Sequence, residues 1–207
     1  GETTKVPYVR KGEYAEINLD LKSWETAIFL LGGEEFNMEA LNISWGAPIP
    51  LEEWQLEIEA WSPAYPYGTP ADSPEGVETK KTRLAPIQLK TLRPWKDIPG
   101  VEPGTSGVGY YKTCFNWDGS DDGVVLDLGK TYDTARAWIN WQEVILDQMG
   151  LRADITKLLT AGENTLTVRT PTGLCNRLYA LDAIPCEMGY AEYGLCGPVV
   201  LRPYRES

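Results

Sequence analysis

Gly107-Val108-Gly109-Tyr110-Tyr111-Lys112-Thr113-Cys114-Phe115-Asn116-Trp117, then Val124-Val125-Leu126-Asp127-Leu128-Gly129, then Asp133-Thr134-Ala135-Arg136-Ala137-Trp138-Ile139-Asn140: the reading of these successive stretches decides the fold. The first reads as a strand from Tyr110 to Phe115. The second is a nearly continuous apolar run closed by a turn at Gly129, the pattern of a buried strand. In the third, Ala135, Ala137 and Ile139 alternate with Arg136 and Asn140, so one face is buried and the other wet. The same alternation stands earlier, in Trp54, Leu56, Ile58 and Ala60 against Gln55, Glu57 and Glu59, and in Ala15, Ile17, Leu19 and Leu21 against Glu16, Asn18 and Asp20. Thr165 to Val168 is a short strand announced by the turn Ala161-Gly162-Glu163-Asn164. The only helical turn expected runs over Ile155 to Leu159, with Asp154 as its N-cap and Gly162 as its stop. Short strands separated by Gly, Pro and Asn predict an all-β fold, an antiparallel two-sheet β-sandwich of jelly-roll type.

Two stretches interrupt the strands. From Ser62 to Gly76 the prolines Pro63, Pro66, Pro70 and Pro74 interleave with Tyr65, Tyr67, Gly68 and Gly76, which predicts a long irregular loop at 62–76. A second Pro/Gly stretch runs from Pro94 through Pro99 and Pro103 to Gly107 and is either a boundary or a covering loop. Tyr14 to Leu31 reads as two strands hinged at Lys22-Ser23-Trp24-Glu25. The expected organisation is an N-terminal β-hairpin extension in residues 1–33, a remnant of or bridge to a preceding domain, followed by the sandwich in residues 34–207.

Charge and composition exclude several functions. The 207 residues hold 19 Lys and Arg against 30 Asp and Glu, a net charge of −11, with no histidine. Such a field repels phosphate backbones and anionic lipid, so nucleic acid and basic membrane docking are excluded. Without histidine there is no Ser/His/Asp or Cys/His nucleophile system in its usual form and no zinc helix of the HExxH kind. Between Lys22 and Lys80 stand eleven acidic residues and no basic one, read as a solvated acidic surface. Glu34-Glu35 and Glu52-Glu53 are neighbours that point apart on a strand, so neither marks a hydrolase pair. Eight Trp and eleven Tyr against three Phe favour aromatics with a polar tip, a set suited to strand-rich domains and sugar-facing surfaces.

Cys114, Cys175, Cys186 and Cys196 form no CxxC pair, so disulfides explain them better than a zinc site. At least one bridge is expected within Cys175 to Cys196, with the pairing left open and buried free thiols as the alternative. The sequon Asn42-Ile43-Ser44 agrees with secretion. No apolar segment is long enough to span a bilayer and the N-terminus has no signal-peptide pattern, so a soluble chain is expected, with any export signal lying outside it.

The succession GVGYYKTCFNW, VVLDLGKTYDTARAWIN and LRADITKLLTAGENTLTVRT resembles the sugar-binding-like β-sandwich of family 2 type glycoside hydrolases, in the galactose-binding-domain-like group. Trp95-Lys96-Asp97-Ile98-Pro99-Gly100, Asn176-Arg177-Leu178 and Tyr193-Gly194-Leu195-Cys196-Gly197-Pro198-Val199 resemble the C-terminal region of large secreted microbial glycoside hydrolases related to the α-L-rhamnosidases. Gly1-Glu2 and Leu19 to Leu31 resemble the closing strands of the domain before it. The resemblance runs from Trp95 to Tyr204 and more loosely before that. It implies a monomeric, non-catalytic accessory module, covalently linked to an upstream catalytic domain and facing a plant or microbial polysaccharide or oligosaccharide. In that family the strand now ending at Asn140 closes in Asn-Gly. Here it reads Asn140-Trp141, placing a large aromatic at a hairpin tip where glycine supplies the positive φ.

Loops at one end of such sandwiches bind sugar in many relatives, and a sugar needs an aromatic face with amide, carboxylate or guanidinium partners. The carbohydrate-binding candidates, in order, are Trp141 with Asn140, Trp117, Tyr193, and Asn176 with Arg177. Each has a bland counterpart: Trp117 capping the core, Tyr193 packed on a neighbouring strand, and Arg177 paired with Asp127 or Asp182. Asp118-Gly119-Ser120-Asp121-Asp122-Gly123 crowds carboxylates into a turn, making Asp118, Asp121 and Asp122 weak candidates for a structural calcium, although the later Glu of an EF-hand is missing. No cofactor is required. The rival functions are a purely structural domain packed on a catalytic neighbour and a small carboxylate-dependent glycoside hydrolase or lyase.

Overall fold

The computed structural model describes residues 6, 8–19, 21, 26–29, 43–64, 79–147, 149–185 and 189–206. Among them the strands are, in chain order, β1 (Val9–Lys11), β2 (Tyr14–Glu16), β3 (Ile43–Trp45), β4 (Ile49–Pro50), β5 (Trp54–Pro63), β6 (Thr79–Arg83), β7 (Ile87–Leu89), β8 (Gly107–Trp117), β9 (Gly123–Asp127), β10 (Lys130–Thr131), β11 (Arg136–Ile139), β12 (Gln142–Val144), β13 (Arg152–Asp154), β14 (Gly162–Pro171), β15 (Leu195–Gly197) and β16 (Val200–Glu206). A short α-helix, α1, spans Cys175–Ala180. No helix among the described residues is long and apolar enough to cross a membrane.

A seven-stranded sheet runs β12-β11-β14-β8-β5-β6, with β7 also paired to β5, and a five-stranded sheet runs β13-β9-β16-β3, with β4 on β16. The pairings are antiparallel, so the architecture is an antiparallel β-sandwich. Alternation explains the layer between the sheets. Leu56 and Ile58 of β5, Tyr111 of β8, Leu166 and Val168 of β14, and Ala137 and Ile139 of β11 turn inward and pack in one buried cluster with Val124 and Leu126 of β9 and Leu201 of β16. Each fully buried Leu, Ile or Val contributes about 1.5–3 kcal/mol. Asp127 is the charged exception within this layer. Its carboxylate accepts the Gly129 N–H at 2.9 Å and pairs with Arg152 at 3.2 Å and Arg202 at 3.6 Å.

The Pro/Gly stretch before Gly107 is a covering loop. Trp95, in a 3₁₀ turn over Trp95–Asp97, is buried together with Ile98 and Val101. Its indole N–H donates to the Tyr111 hydroxyl, and the chain passes so close at Gly194, where φ is +92°, that a Cβ there would lie 2.3 Å from Trp95 Nε1.

Several expectations are corrected. The alternation over residues 15–21 yields only β2, which forms a hairpin with β1 around Gly12-Glu13, and Leu19 and Leu21 are exposed because no sheet face among the described residues meets them. The hinge at 22–25 and the proline loop from residue 65 onward lie outside the described residues. Asp154 does accept the Thr156 N–H at 2.9 Å, but the element that follows is a single 3₁₀ turn over Thr156–Leu158. The presumed turn at Ala161 to Asn164 is largely strand, since β14 begins at Gly162, opposite Trp117. Cys114, Cys175 and Cys196 are free thiols, and Cys186 lies outside the described residues.

Candidate functional site

The hairpin between β11 and β12 has a two-residue loop, Asn140-Trp141, with φ of 49° and 70°. Positive φ at both positions is the type I′ geometry that matches the twist of antiparallel strands. Asn140 suits it, because its short amide tolerates this region and bonds locally. Its backbone N–H donates to Thr165 O at 3.0 Å, and its Oδ1 accepts the Thr165 N–H at 3.0 Å. Its Nδ2 donates to Asn164 Oδ1 at 2.8 Å and to Leu158 O at 3.3 Å. Asn164 is itself buried and fixed, donating to Thr160 O at 2.7 Å and Gly162 O at 3.0 Å while accepting the Thr160 N–H at 2.9 Å. The tip is therefore clamped to β14 through two amide side chains.

Trp141 stands on this rigid base with 83% of its surface exposed. A left-handed conformation costs a residue with a Cβ about 1–2 kcal/mol, which glycine avoids. An exposed indole recovers little of that by burial. The position thus combines backbone strain with an unburied flat aromatic, the pairing found where a side chain serves something other than folding. The geometry can present a ring face to a flat, partly apolar ligand.

Further along the chain, beyond the end of β12 remote from the tip, are exposed apolar side chains that the sequence reading did not single out. Ile145 is 85% exposed and Met149 is exposed as well. Arg136, Glu143, Val144 and Ile145 line an open depression of about 380 Å³. On β11 itself, the Arg136 guanidinium lies 5.2 Å from the centre of the Trp138 ring and pairs with Glu143 at 2.6 Å. The inward parity of Ala137 and Ile139 was the available signal for Trp138, since it sends that side chain outward.

The other candidate residues sit elsewhere. Trp117 closes β8 near the same end of the sandwich, but its side chain is buried in the core. Tyr193, Asn176 and Arg177 gather around α1, which follows β14; from Thr165, beside the tip, that strand runs about 20 Å to Pro171 before the helix is reached. Tyr193 is fully buried against Tyr132, its hydroxyl accepts the Asn176 N–H at 3.2 Å, and burial raises its pKa. Asn176, also buried, fastens α1 to the strand-like segment before β15. Its Oδ1 accepts the Ala191 N–H at 2.8 Å and its Nδ2 donates to Ala191 O at 3.0 Å. Both polar ends of that amide are spent within the fold. Arg177 is half-buried with an Nε that has no hydrogen-bond partner, and Asp127 is taken by Arg152 and Arg202 instead.

The acidic turn is built as a tether. Asp118 Oδ1 accepts the Ser120 N–H at 2.9 Å, the bond that chiefly holds its carboxyl below the usual range. Asp121 pairs with Arg205 at 2.9 Å, and Asp122 accepts the Glu206 N–H at 2.8 Å. Asp118 is held within the turn while Asp121 and Asp122 are directed to separate partners on β16, and no group of three or more His, Cys, Asp or Glu side chains among the described residues is arranged for a metal ion. This donor set does not fit calcium.

No family profile matches the chain, and no curated protein does. Solved structures do match. A rhamnosidase from Novosphingobium sp. PP1Y is 24% identical with a TM-score of 0.56, over 83% of this chain and 16% of that one. A β-D-glucuronidase from Dictyoglomus thermophilum is 15% identical with a TM-score of 0.46, over 85% and 30% of the two chains. A β-glucuronidase from an uncultured Clostridium sp. is 18% identical with a TM-score of 0.46, over 84% and 31%. The chain spans less than a third of each of these glycosidases, and its β-sandwich has the fold of one part of the Novosphingobium rhamnosidase chain.

Proposed function

We propose that this chain is a non-catalytic carbohydrate-binding module of a secreted polysaccharide-degrading glycoside hydrolase, with Trp141 as the platform on which a pyranose ring stacks. The observation that carries the reading is Trp141 itself, held at φ 70° and 83% exposed on a clamped hairpin tip. Sharing a fold with about a sixth of a rhamnosidase chain supports an accessory role beside a covalently linked catalytic domain. In this reading residues 34–207 form the module, residues 1–33 bridge to the preceding domain, and the ligand is a plant or microbial polysaccharide or oligosaccharide. Tethering raises the effective concentration of the polymer at the catalytic site, so weak individual affinity suffices. The chain is incubated with a panel of plant and microbial glycans, and both binding and released reducing ends are measured. Binding that disappears in Trp141→Ala, without product, is the expected result. Release of reducing ends would instead favour a small hydrolase, and unchanged binding in Trp141→Ala would remove the site.

A second reading is a purely structural domain that packs on its catalytic neighbour. Ile145, 85% exposed, and Met149, also exposed, favour it, because a docking face would cover exposed apolar side chains. It predicts no glycan binding by the folded chain.

A further inference from the structure

At the end of the β11–β12 hairpin away from the tip, a second set of groups gathers around the open depression of about 380 Å³ that Arg136, Glu143 and Ile145 help to line. That volume lies within the range of about 300–1,000 Å³ usual for small-molecule sites. β12 is the last strand of the seven-stranded sheet, so among the described residues no further strand covers the hairpin from that side.

Strand parity turns Ala137 and Ile139 inward, which leaves Arg136 and Trp138 on the outer face, and register sets Glu143 beside Trp138. Arg136 crosses to that carboxylate through Nε at 2.9 Å and Nη2 at 2.6 Å, and both bonds end on Oε1. Glu143 Oε2 and Arg136 Nη1 therefore carry no hydrogen bond from the described residues. The two side chains are 43% and 55% exposed, and an ion pair this open to water adds little to folding. An acceptor and a donor are thus held side by side, facing solvent, on a pair with no net charge. Arg169, opposite Arg136, lies on β14 across β11 from the pair and acts on Glu59 instead. Apolar surface flanks the pair, with the exposed Ile145 in the lining and the Trp138 ring centre 5.2 Å from the guanidinium.

The geometry points to a second sugar subsite in this depression, one that takes a neutral pyranose by two adjacent hydroxyls. One hydroxyl donates to Glu143 Oε2, its neighbour accepts from Arg136 Nη1, and the C–H surface of the ring rests against Ile145. A vicinal diol on a sugar ring supplies a donor, an acceptor and an apolar side together. A carboxylate ligand would meet the charge of Glu143, and a purely apolar side chain would leave both polar atoms covered and unanswered. The subsite rests on the reading of the chain as a carbohydrate-binding module and extends it. From Arg136 to Ile139, where the turn begins, the strand advances about 10 Å, so the depression and the tip are within reach of one oligosaccharide.

Isothermal titration of the 207-residue chain with cellohexaose, mannohexaose and xylohexaose, each beside its 2,3-di-O-methyl ether, tests it. The ether keeps the ring but loses the paired hydroxyl donors. At least one free hexasaccharide is expected to bind about tenfold more tightly than its ether. Glu143→Ala is expected to remove that preference, Glu143→Gln, which keeps an acceptor, to retain part of it, and Trp141→Ala to weaken both forms while leaving their difference intact. Melting temperatures establish that each variant is folded. Equal binding of free sugar and ether, or a preference unchanged in Glu143→Ala, overturns the subsite and leaves the tip standing. Binding reduced by Glu143→Ala but not by Trp141→Ala keeps the subsite and removes the tip. Failure of all three sugars to bind the folded chain overturns the subsite together with the module, and favours the docking face.

Discussion

The indole N–H of Trp95 donates to the Tyr111 hydroxyl at 2.7 Å, and that same oxygen accepts the Leu195 N–H at 3.0 Å, so a single buried phenol ties the covering loop and β15 to the centre of β8. Burial raises the Tyr111 pKa far beyond its usual value. Tyr111→Phe fills nearly the same volume but leaves two interior donors unanswered, each costing about 1–3 kcal/mol. A loss of about 2 kcal/mol or more in urea unfolding is expected; a neutral substitution would show that the loop is held by packing alone.

Trp141→Gly separates folding from binding. Glycine relieves the left-handed strain of about 1–2 kcal/mol and returns about 0.5–1 kcal/mol of that in unfolded-state entropy. The variant is expected to be as stable as the parent or more so, by up to about 1 kcal/mol, while glycan binding falls. Trp141→Ala loses binding without that relief. A marked drop in the melting temperature of Trp141→Gly would mean that the indole packs on something in solution and would count against the tip as a site.

Asn164 answers the donors of Thr160 and Asn140 and donates to two carbonyls from a buried position. Asn164→Ala is expected to cost about 2–4 kcal/mol. Because Asn140 loses its partner at the same time, amide hydrogen exchange at Trp141 and Thr165 should accelerate more than at Val168. Uniform acceleration would show that the clamp is not specific to the tip.

Burial first, and then the hydrogen bond and negative charge of Asp154, push the Tyr204 phenol from 10.0 up to about 12. The neutral phenol is therefore favoured in the folded state. Its stabilising contribution is complete below the unfolded-state value near 10 and is lost as pH rises through about 12. Melting temperature is expected to fall across this alkaline window, and Tyr204→Phe should flatten part of the decline. An unaltered slope in Tyr204→Phe would assign the decline to other groups.

Strands were legible where a repeating pattern met a partner surface. Trp54 to Ala60 lie in β5 and Ala137 and Ile139 in β11 with the expected faces inward, since period-two alternation reports directly which side is dry. The alternation at residues 15–21 was just as regular, yet Ala15, Leu19 and Leu21 are exposed, because a pattern specifies a face without supplying what covers it. Helix α1 left no mark in the sequence. It is six residues long, has no side-chain cap, and is fastened by Asn176 to Ala191, a contact made only by the folded chain. The tip was readable because Trp replaces the glycine of a two-residue turn. The burial of Trp117, Tyr193 and Asn176 was not, since aromatic and amide residues next to turns look alike whether another segment folds over them or leaves them bare.

The position of β16 sets the order in which the sandwich can be made. It lies inside the five-stranded sheet, between β9 and β3, and Ser44 Oγ donates to Arg205 O from 161 positions away. Until Val200 to Glu206 leave the ribosome, β9 and β3 present bare edges and the core has one wall incomplete, a state prone to association with other nascent chains. Ending the chain before Val200 would remove the strand that joins β9 to β3, and with it one side of the five-stranded sheet.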